Sequence, residues 1–443
     1  MPPHNDQPQE SPAAAPPPAE SDPLPDRFQQ RNSLVFIVNM SLIYLVAPVF
    51  YVGVLHAAIC NSLGASDTVA NLPASVNLWM TPIPVFISWL WPSPLASRRI
   101  LVAAYLVVGM AGGVAAASFV AAPRHWLIPV LVAHAGIVGV TVGVIQMCLW
   151  ELIGRGMTTT LRGWTLSLTF GAGPVFAVLG SCASQLILSG KFLNLVEVSP
   201  IPEPWSYVLL FGVTAPAMWL AAGMVSLARL PPGSEPAPRT GGIAFAQGIR
   251  LYFTHPLILI AAFGFLCTYA GGGMIMNNLA LYAREAIGEP PERYSGLQLA
   301  LRFGFKSVCG FGLGWLVTRV HAKAPLVATT TICLAGVGWA LLVPGKWYLL
   351  SFGLLGAGEL FYVYYMNYIV SCSAPERMRE NTAYTNLITV TVGFVPLMYG
   401  GISDRFGLRS SFVLAMAILI AACVVAGLFL PRQPSPRSAE PAA

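Results

Sequence analysis

Three charged side chains lie deep within apolar stretches of the sequence, where a charge is costly. Arg302 and Lys306 stand four residues apart in one stretch, and Glu359 stands in another. Residues four apart share a helix face, which Gln298 and Cys309 extend. Such a face could bind an anionic group, and Glu359 could bind and release a proton. The alternative is a structural pair in which Glu359 pins its helix to Lys306 while Arg302 leans towards the outer interface.

The two stretches place these charges at the same depth. The stretch that contains Glu359 begins at Trp347, and the stretch that contains Lys306 begins at Tyr294. Along a helix, each charged residue lies about 18 Å from the start of its stretch. That distance is near the middle of a hydrocarbon core about 30 Å thick. A charge there costs at least about 2.5 kcal/mol, so it is expected to face a cavity or a partner.

The composition explains why these charges stand out. The chain has 443 residues, of which 9% are charged and 56% are hydrophobic, whereas soluble proteins average roughly 25% charged residues. This balance excludes an ordinary cytosolic enzyme, a nucleic-acid-binding protein and a disordered protein, and it predicts a polytopic membrane protein. The eight cysteines are too widely spaced for a disulfide framework or a zinc site. No metal and no other cofactor is expected.

Twelve apolar stretches, each long enough to cross the hydrocarbon core as a helix, predict an all-α membrane protein. They cover 33–59, 68–91, 98–120, 126–151, 164–189, 206–229, 254–283, 294–319, 324–343, 347–372, 380–402 and 409–430. The longest polar interval, which is rich in Pro and Gly, follows the sixth stretch. We therefore expect two six-helix halves, a linker and two tails. Their bounds are a disordered tail at 1–32, a first half at 33–229, a linker at 230–253, a second half at 254–430 and a tail at 431–443.

Basic residues predict the orientation of the chain. With the N-terminus in the cytosol, fifteen Lys and Arg residues fall on the inner side and seven on the outer side. Both termini and the linker are therefore predicted to be cytosolic. The membrane is expected to be a cytoplasmic (inner) membrane or a plasma membrane.

Other polar side chains in the apolar stretches could line a cavity or pack in the core. Those in the first, seventh, tenth and eleventh stretches are Tyr44, Tyr51, Asn277, Asn278, Tyr362 and Asn386. Three glycines precede Asn277, and they should weaken the helix there. A broken helix at membrane depth is tolerated where it borders a cavity. His134 in the fourth stretch is either a hydrogen-bonded core residue or a proton relay.

The six-plus-six layout and the basic inner loops resemble the Major Facilitator Superfamily. In the loop between stretches 8 and 9, Gly314, Arg319 and Lys323 fit the family's loop signature, but Thr318 replaces its Asp and His321 replaces its Gly. A fuller version, GGISDRFGLR, lies between stretches 11 and 12 on the predicted outer side. Its residues are Gly400, Gly401, Asp404, Arg405, Gly407 and Arg409. We interpret it as a helix-end and packing device, because the family's conformational latch would lie on loops 2–3 and 8–9.

The resemblance implies a secondary transporter that moves a small solute by alternating access, with stretches 1, 2, 4, 5, 7, 8, 10 and 11 lining a central cavity. Two cations against one acid favour an anionic or zwitterionic solute. The first half has no acid at mid-membrane, so proton coupling would pass through Glu359. A uniporter or an anion exchanger is the alternative. The expected partners are the solute, the lipid bilayer and protons, without nucleic acid, and the chain is expected to be a monomer.

Two other functions stay open at this point. The degenerate loop signatures allow a transporter-like sensor or assembly factor that does not transport. A membrane-embedded enzyme acting on lipid would need clustered histidines and acids or a nucleophile with a base. None of the six histidines has an acid at such a spacing.

Overall fold

The computed structural model describes residues 24–83, 94–192, 196–229, 250, 252–372, 381 and 384–434. Within them, nine helices are long and apolar enough to cross a membrane. These nine correspond to predicted stretches 3 to 7 and 9 to 12. The described parts of stretches 1, 2 and 8 are also helical, and the predicted twelve-helix membrane fold is confirmed. The cytosolic location of the termini stays a prediction. We number the helical segments as spans 1 to 12 in chain order.

The first half contains spans 1 to 6. The helices are Asp26–Leu45, Ala47–Phe50 and Val54–Ser62 in span 1, Asp67–Met80 in span 2, Pro94–Ala121 in span 3, Leu127–Gly156 in span 4, Thr159–Ser189 in span 5, and Trp205–Gly212 and Thr214–Ser226 in span 6. A short antiparallel pair of strands, Lys191–Phe192 and Val196–Glu197, follows span 5.

The second half contains spans 7 to 12. The helices are Pro256–Thr268, Tyr269–Gly273, Met276–Leu281 and Ala283–Ile287 in span 7, Ser295–Arg319 in span 8, Ala324–Leu342 in span 9, Leu350–Gly358 and Phe361–Cys372 in span 10, Ile388–Val392 and Val395–Phe406 in span 11, and Leu408–Val424 and Val425–Phe429 in span 12. Single helical turns at Arg124–Trp126, Pro291–Tyr294 and Gly345–Leu349 precede spans 4, 8 and 10.

Several spans are interrupted along their length, among them spans 1, 7 and 10. Span 1 is interrupted around Tyr51, and span 10 is interrupted at Glu359 and Leu360. Span 7 widens into a π-helical turn at Tyr269–Gly273, so the predicted weakening by its three glycines is confirmed. π-Helical turns are often found at functional sites. The break in span 10 contains one of the three charged residues, Glu359.

The two halves are joined by hydrogen bonds at the end of the bundle away from the chain termini, which we call the far end. There, span 5 contacts span 8, and span 2 contacts span 11. Gly400 of span 11 lies so close to span 2 that a Cβ atom would come within 2.5 Å of the Thr68 Cα. Among the described residues, every hydrogen bond between the halves lies at this end. The conformation is therefore closed at the far end.

Candidate functional site

Arg302, Lys306 and Glu359 meet between spans 8 and 10, and we call them the charged trio. Arg302 donates from Nε and from one terminal nitrogen to the two carboxylate oxygens of Glu359, with an Nε–Oε2 distance of 2.9 Å. The Nζ of Lys306 lies 3.2 Å from the same Oε2 atom. The side chains are 13% exposed for Arg302, 20% for Lys306 and 19% for Glu359. The trio is thus partly accessible and carries one positive charge in excess.

In the alternative arrangement considered above, Glu359 pairs with Lys306 while Arg302 leans away; the structure has the Lys306 contact but places Arg302 on Glu359 as well. Arg302 is the bidentate partner of Glu359, and Lys306 makes a single, longer contact. The physical reason lies one turn before Glu359, at Gly356. This glycine packs directly against the backbone of Arg302, where a Cβ atom would overlap it. The close approach of the two helices brings the carboxylate within reach of the guanidinium group.

Aromatic side chains from the first half lie next to the trio. The ring of Tyr51 is 5.6 Å from that of Phe303, and the ring of Tyr44 is 6.3 Å from it. Phe303 in turn packs under the guanidinium group of Arg302, with 5.6 Å between the guanidinium carbon and the ring centroid. The predicted residues Tyr44 and Tyr51 therefore meet the charged residues across the boundary between the halves. Phe303 was not among the predicted residues, although its position beside Arg302 in the sequence was a signal.

A second polar pair lies one helical turn from Glu359. The hydroxyl group of Tyr362 in span 10 donates to Oδ1 of Asn386 in span 11 over 3.0 Å. Tyr362 is 40% exposed, and its ring is 5.5 Å from Phe265 and 6.5 Å from Tyr269 in span 7. The structure thus brings the predicted residues Tyr362 and Asn386 together. Sequence reasoning missed Tyr269, which lies in the π-helical turn of the glycine segment.

The predicted residue Gln298 bonds outside the trio. It is fully buried, and its Nε2 donates to the hydroxyl group of Tyr348 over 3.3 Å. Its Oε1 atom is buried without a hydrogen-bond partner. Gln298 therefore connects span 8 to the start of span 10 on the far-end side of the trio.

Asn277 and Asn278 belong to an amide network between the halves. Asn277 donates to Oδ1 of Asn71 over 3.1 Å, and Asn71 donates to Oδ1 of Asn278 over 2.7 Å. Asn278 also donates to the hydroxyl groups of Ser403 and Ser411. The structure therefore places these two predicted residues in the far-end closure, away from the trio.

His134 is not a lone histidine, because it pairs with His56 of span 1. The Nε2 atom of His56 and the Nδ1 atom of His134 are 3.2 Å apart, and Phe211 packs edge-on against both rings. The two residues are 0% and 2% exposed. Each ring has a second nitrogen that is buried without a partner, Nδ1 in His56 and Nε2 in His134. We call these residues the histidine pair.

The loop signature between spans 8 and 9 contacts its own half. Gly314 and Arg319 belong to the helix Ser295–Arg319, and Arg319 is exposed. Lys323 donates from Nζ to the backbone carbonyl of Gly427 in span 12. In the described part of this loop, no hydrogen bond reaches the first half.

The fuller version of the loop signature, between spans 11 and 12, contacts span 2 of the first half. The carboxylate of Asp404 accepts the backbone N–H groups of Asp67 and Thr68, at 2.8 and 3.1 Å, and also the hydroxyl group of Thr68. Asp404 thus caps the helix that begins at Asp67, and we call this contact the far-end latch. A carboxylate at a helix N-terminus is stabilised by the free N–H groups and the helix dipole. The role of this segment therefore extends beyond the packing that we expected.

The glycines of this segment shape the helix end, whereas its arginines lie outside the latch contact. Gly400 allows the close approach to Thr68, and Gly401 follows it. Gly407 ends span 11 with a φ of 81°, a left-handed conformation that favours glycine. Arg405 is exposed, and Arg409 donates to the carbonyl of Leu341 over 2.7 Å. Gly400 and Gly407 thus shape the helix end from which Asp404 meets span 2.

Residues 262–443 match the family model described as Major Facilitator Superfamily. No similar sequence was found among curated proteins. The expected resemblance to this superfamily is confirmed by the match and by the fold.

Similar solved structures extend the likeness to the whole chain. A D-xylose–proton symporter has a TM-score of 0.70 at 15% identity, over 91% of this chain and 98% of that one. The inward-open xylose transporter XylE from E. coli gives 0.65 at 13% identity, over 92% and 97%. A bacterial homologue of the human lysosomal transporter Spinster, inward-facing and unoccupied, gives 0.66 at 15% identity, over 93% and 100%. At these identities the likeness is one of fold.

Proposed function

We propose that the chain is a secondary transporter of the Major Facilitator Superfamily and that it moves a small solute across the membrane by alternating access. The observation that carries the proposal is the position of the charged trio. Its three members lie on spans 8 and 10 of the second half, while Tyr44 and Tyr51 of the first half approach it through Phe303. Rocking of one half against the other would change which end of the bundle this site faces.

The charges of the trio favour an anionic or zwitterionic solute. Arg302 uses two nitrogens on Glu359, whereas Lys306 makes one contact at 3.2 Å and keeps further N–H donors. Lys306 is therefore the group with the most capacity to bind a solute carboxylate or phosphate. In a zwitterionic solute, the cationic group would pair with Glu359.

Proton coupling would follow because Glu359 and a solute anion would compete for Arg302 and Lys306. Glu359 is the acceptor for both Arg302 and Lys306. A proton on Glu359 would remove that acceptor and free both cations for a solute anion. The solute anion and the proton would then bind together, which is the linkage that a symporter needs. This mechanism confines coupling to the second half.

The closed far end fits one stage of such a cycle. With the termini in the cytosol, as the basic residues predict, the conformation would be inward-facing. The far-end latch and the amide network around Asn278 would have to separate before the trio could face the other side. Opening therefore requires that a carboxylate and several amides exchange their protein partners for water.

To test this proposal, the thermal unfolding midpoint of the purified protein is measured with a panel of small anions, zwitterions, sugars, nucleosides and peptides. A solute that binds only the folded state raises the unfolding midpoint by mass action. We expect a rise with an anion or zwitterion that is absent in Lys306→Ala. A rise only with neutral solutes, retained in Lys306→Ala, would move the site to Tyr362 and Asn386. Uptake of the stabilising solute into proteoliposomes separates a transporter from a sensor that only binds it.

A further inference from the structure

Three arginines converge on one aromatic ring at the end of the bundle that carries the termini. The guanidinium carbons of Arg27, Arg31 and Arg229 lie 4.7, 5.1 and 4.5 Å from the centroid of the Phe28 ring. All three distances are within the range of about 6 Å for cation–π contacts. Arg27 and Arg31 lie in the first helix of span 1, and Arg229 follows the last helix of span 6. We call these residues the arginine cluster.

Within the part of the chain that the structure describes, no carboxylate balances the positive charge of the cluster. Among the described residues, no carboxylate lies within ion-pair distance of these three guanidinium groups, and Asp26 beside Arg27 forms no ion pair with them. Because they surround one ring, the three charges are closer to each other than the Debye length of about 10 Å. Salt therefore screens their repulsion only in part. A bound anion would remove this cost.

The backbone holds the cluster in place without an anion. Asn32 is fully buried, and its Oδ1 accepts the backbone N–H of Arg229 over 2.9 Å. Its Nδ2 donates to the carbonyl groups of Arg229 and Gly156, at 2.7 and 3.0 Å. The ends of spans 1, 4 and 6 are thereby fixed to one another. In addition, the Nε atom of Arg31 is buried without a hydrogen-bond partner. The cluster is a preformed set of donors with unused capacity.

Apolar side chains border the cluster on the side of the membrane core. Leu34, one turn beyond Arg31, is 56% exposed, and Leu227, two residues before Arg229, is 50% exposed. In a membrane these side chains would contact acyl chains directly beside the guanidinium groups. A free phosphate ion could use the arginines but would gain nothing from the leucines. A phospholipid would use both.

We propose that the arginine cluster binds the phosphate of an anionic phospholipid headgroup, with the acyl chains lying over Leu34 and Leu227. The end that carries the termini is the predicted cytosolic end, and the cytoplasmic leaflet is where anionic lipids attract basic segments. The site joins spans 1 and 6 of the first half. It involves no member of the charged trio, so it stands whether or not the proposed transport function holds.

The experiment compares protein in nanodiscs of phosphatidylcholine with protein in nanodiscs that also contain phosphatidylglycerol. Retained phosphatidylglycerol is counted by native mass spectrometry, and the unfolding midpoint is measured in both lipids. The double variant Arg31→Gln/Arg229→Gln should bind phosphatidylglycerol about 30-fold more weakly and lose the rise in midpoint. Arg405→Gln removes an exposed arginine at the far end and serves as the matched control, which should behave as the wild type does.

Two further measurements complete the experiment. One separates loss of charge from loss of structure, and the other separates a phospholipid from free phosphate. Arg31→Lys/Arg229→Lys keeps both charges and should retain most of the phosphatidylglycerol effect, which a purely structural loss in the Gln variant would not predict. Inorganic phosphate in phosphatidylcholine nanodiscs should leave the midpoint unchanged. A rise with inorganic phosphate equal to that with phosphatidylglycerol would overturn the lipid assignment. Equal phosphatidylglycerol binding by the wild type and the Gln variant would overturn the site itself.

Discussion

The charged trio and the histidine pair are both buried polar clusters, yet they differ in exposure and in position. The three side chains of the trio are 13–20% exposed and approach aromatic rings of the other half. The histidine pair is 0–2% exposed and is enclosed by spans 1, 4 and 6 of one half. A motion between the halves would change the surroundings of the trio but would leave those of the pair intact. This difference favours the trio as the working site and the pair as part of the core.

Removal of Arg302 should have the largest effect. Arg302→Ala leaves Glu359 with Lys306 alone and breaks a bidentate pair that is mostly buried, which costs about 3–5 kcal/mol in comparable cases. We expect loss of transport together with a clear fall in the unfolding midpoint. Arg302→Lys keeps the charge but not the paired geometry, so it should recover stability in part. Full transport by Arg302→Ala in proteoliposomes would remove the trio from the mechanism.

Replacement of Glu359 should separate binding from coupling. Glu359→Gln keeps the size of the side chain but cannot exchange a proton, and it leaves Arg302 and Lys306 without their anionic partner. We expect solute binding to persist while the pH dependence of uptake disappears. The measurement is uptake into proteoliposomes across a range of pH values, beside binding by the same variant. A pH profile like that of the wild type would reassign Glu359 to structure.

Weakening of the far-end latch should shift the conformational equilibrium. Asp404→Asn replaces the carboxylate that accepts the N–H groups of Asp67 and Thr68. Loss of a helix cap at a partly exposed site costs about 0.5–2 kcal/mol, so the far-end-open state should become roughly 2- to 30-fold more populated. Hydrogen exchange at the start of span 2 should accelerate accordingly. Arg405→Gln, an exposed neighbour, is the control, and equal protection in both variants would contradict the latch.

Disruption of the histidine pair should have the smallest effect on function. His134→Phe removes both ring nitrogens, including the Nδ1 atom that bonds to His56, and leaves His56 without this partner. We expect a loss of about 1–3 kcal/mol in the free energy of unfolding. The pH profile of uptake should stay that of the wild type. If the profile changed in His134→Phe and not in Glu359→Gln, the roles of the two clusters would be reversed.

The fold and the shared level of Lys306 and Glu359 could be predicted from the sequence because both follow from the apolar stretches. Apolar stretches of sufficient length fix the spans, and distance along a helix fixes the common depth of Lys306 and Glu359. The break in span 7 was also predictable, since three consecutive glycines weaken a helix wherever they occur.

The partners of individual side chains could not be predicted, because they depend on contacts between distant segments. Arg302 is the main partner of Glu359 because the helices approach closely at Gly356. The spacing of residues in the sequence does not reveal this contact between two helices. His134 meets His56, which is 78 residues away in the chain. The sequence predicts a helix-end and packing role for the segment that contains Asp404, and only the packing of span 11 on span 2 reveals its cap across the halves.

The most direct test of the central proposal, that the trio is the solute site, is uptake of the stabilising solute by wild type and Lys306→Ala in proteoliposomes. Lys306 has the single and longer contact in the trio, so its removal should spare the Arg302–Glu359 pair and most of the stability. We expect uptake to fall to background while the unfolding midpoint without solute changes little. Uptake and affinity equal to those of the wild type would show that the solute binds elsewhere.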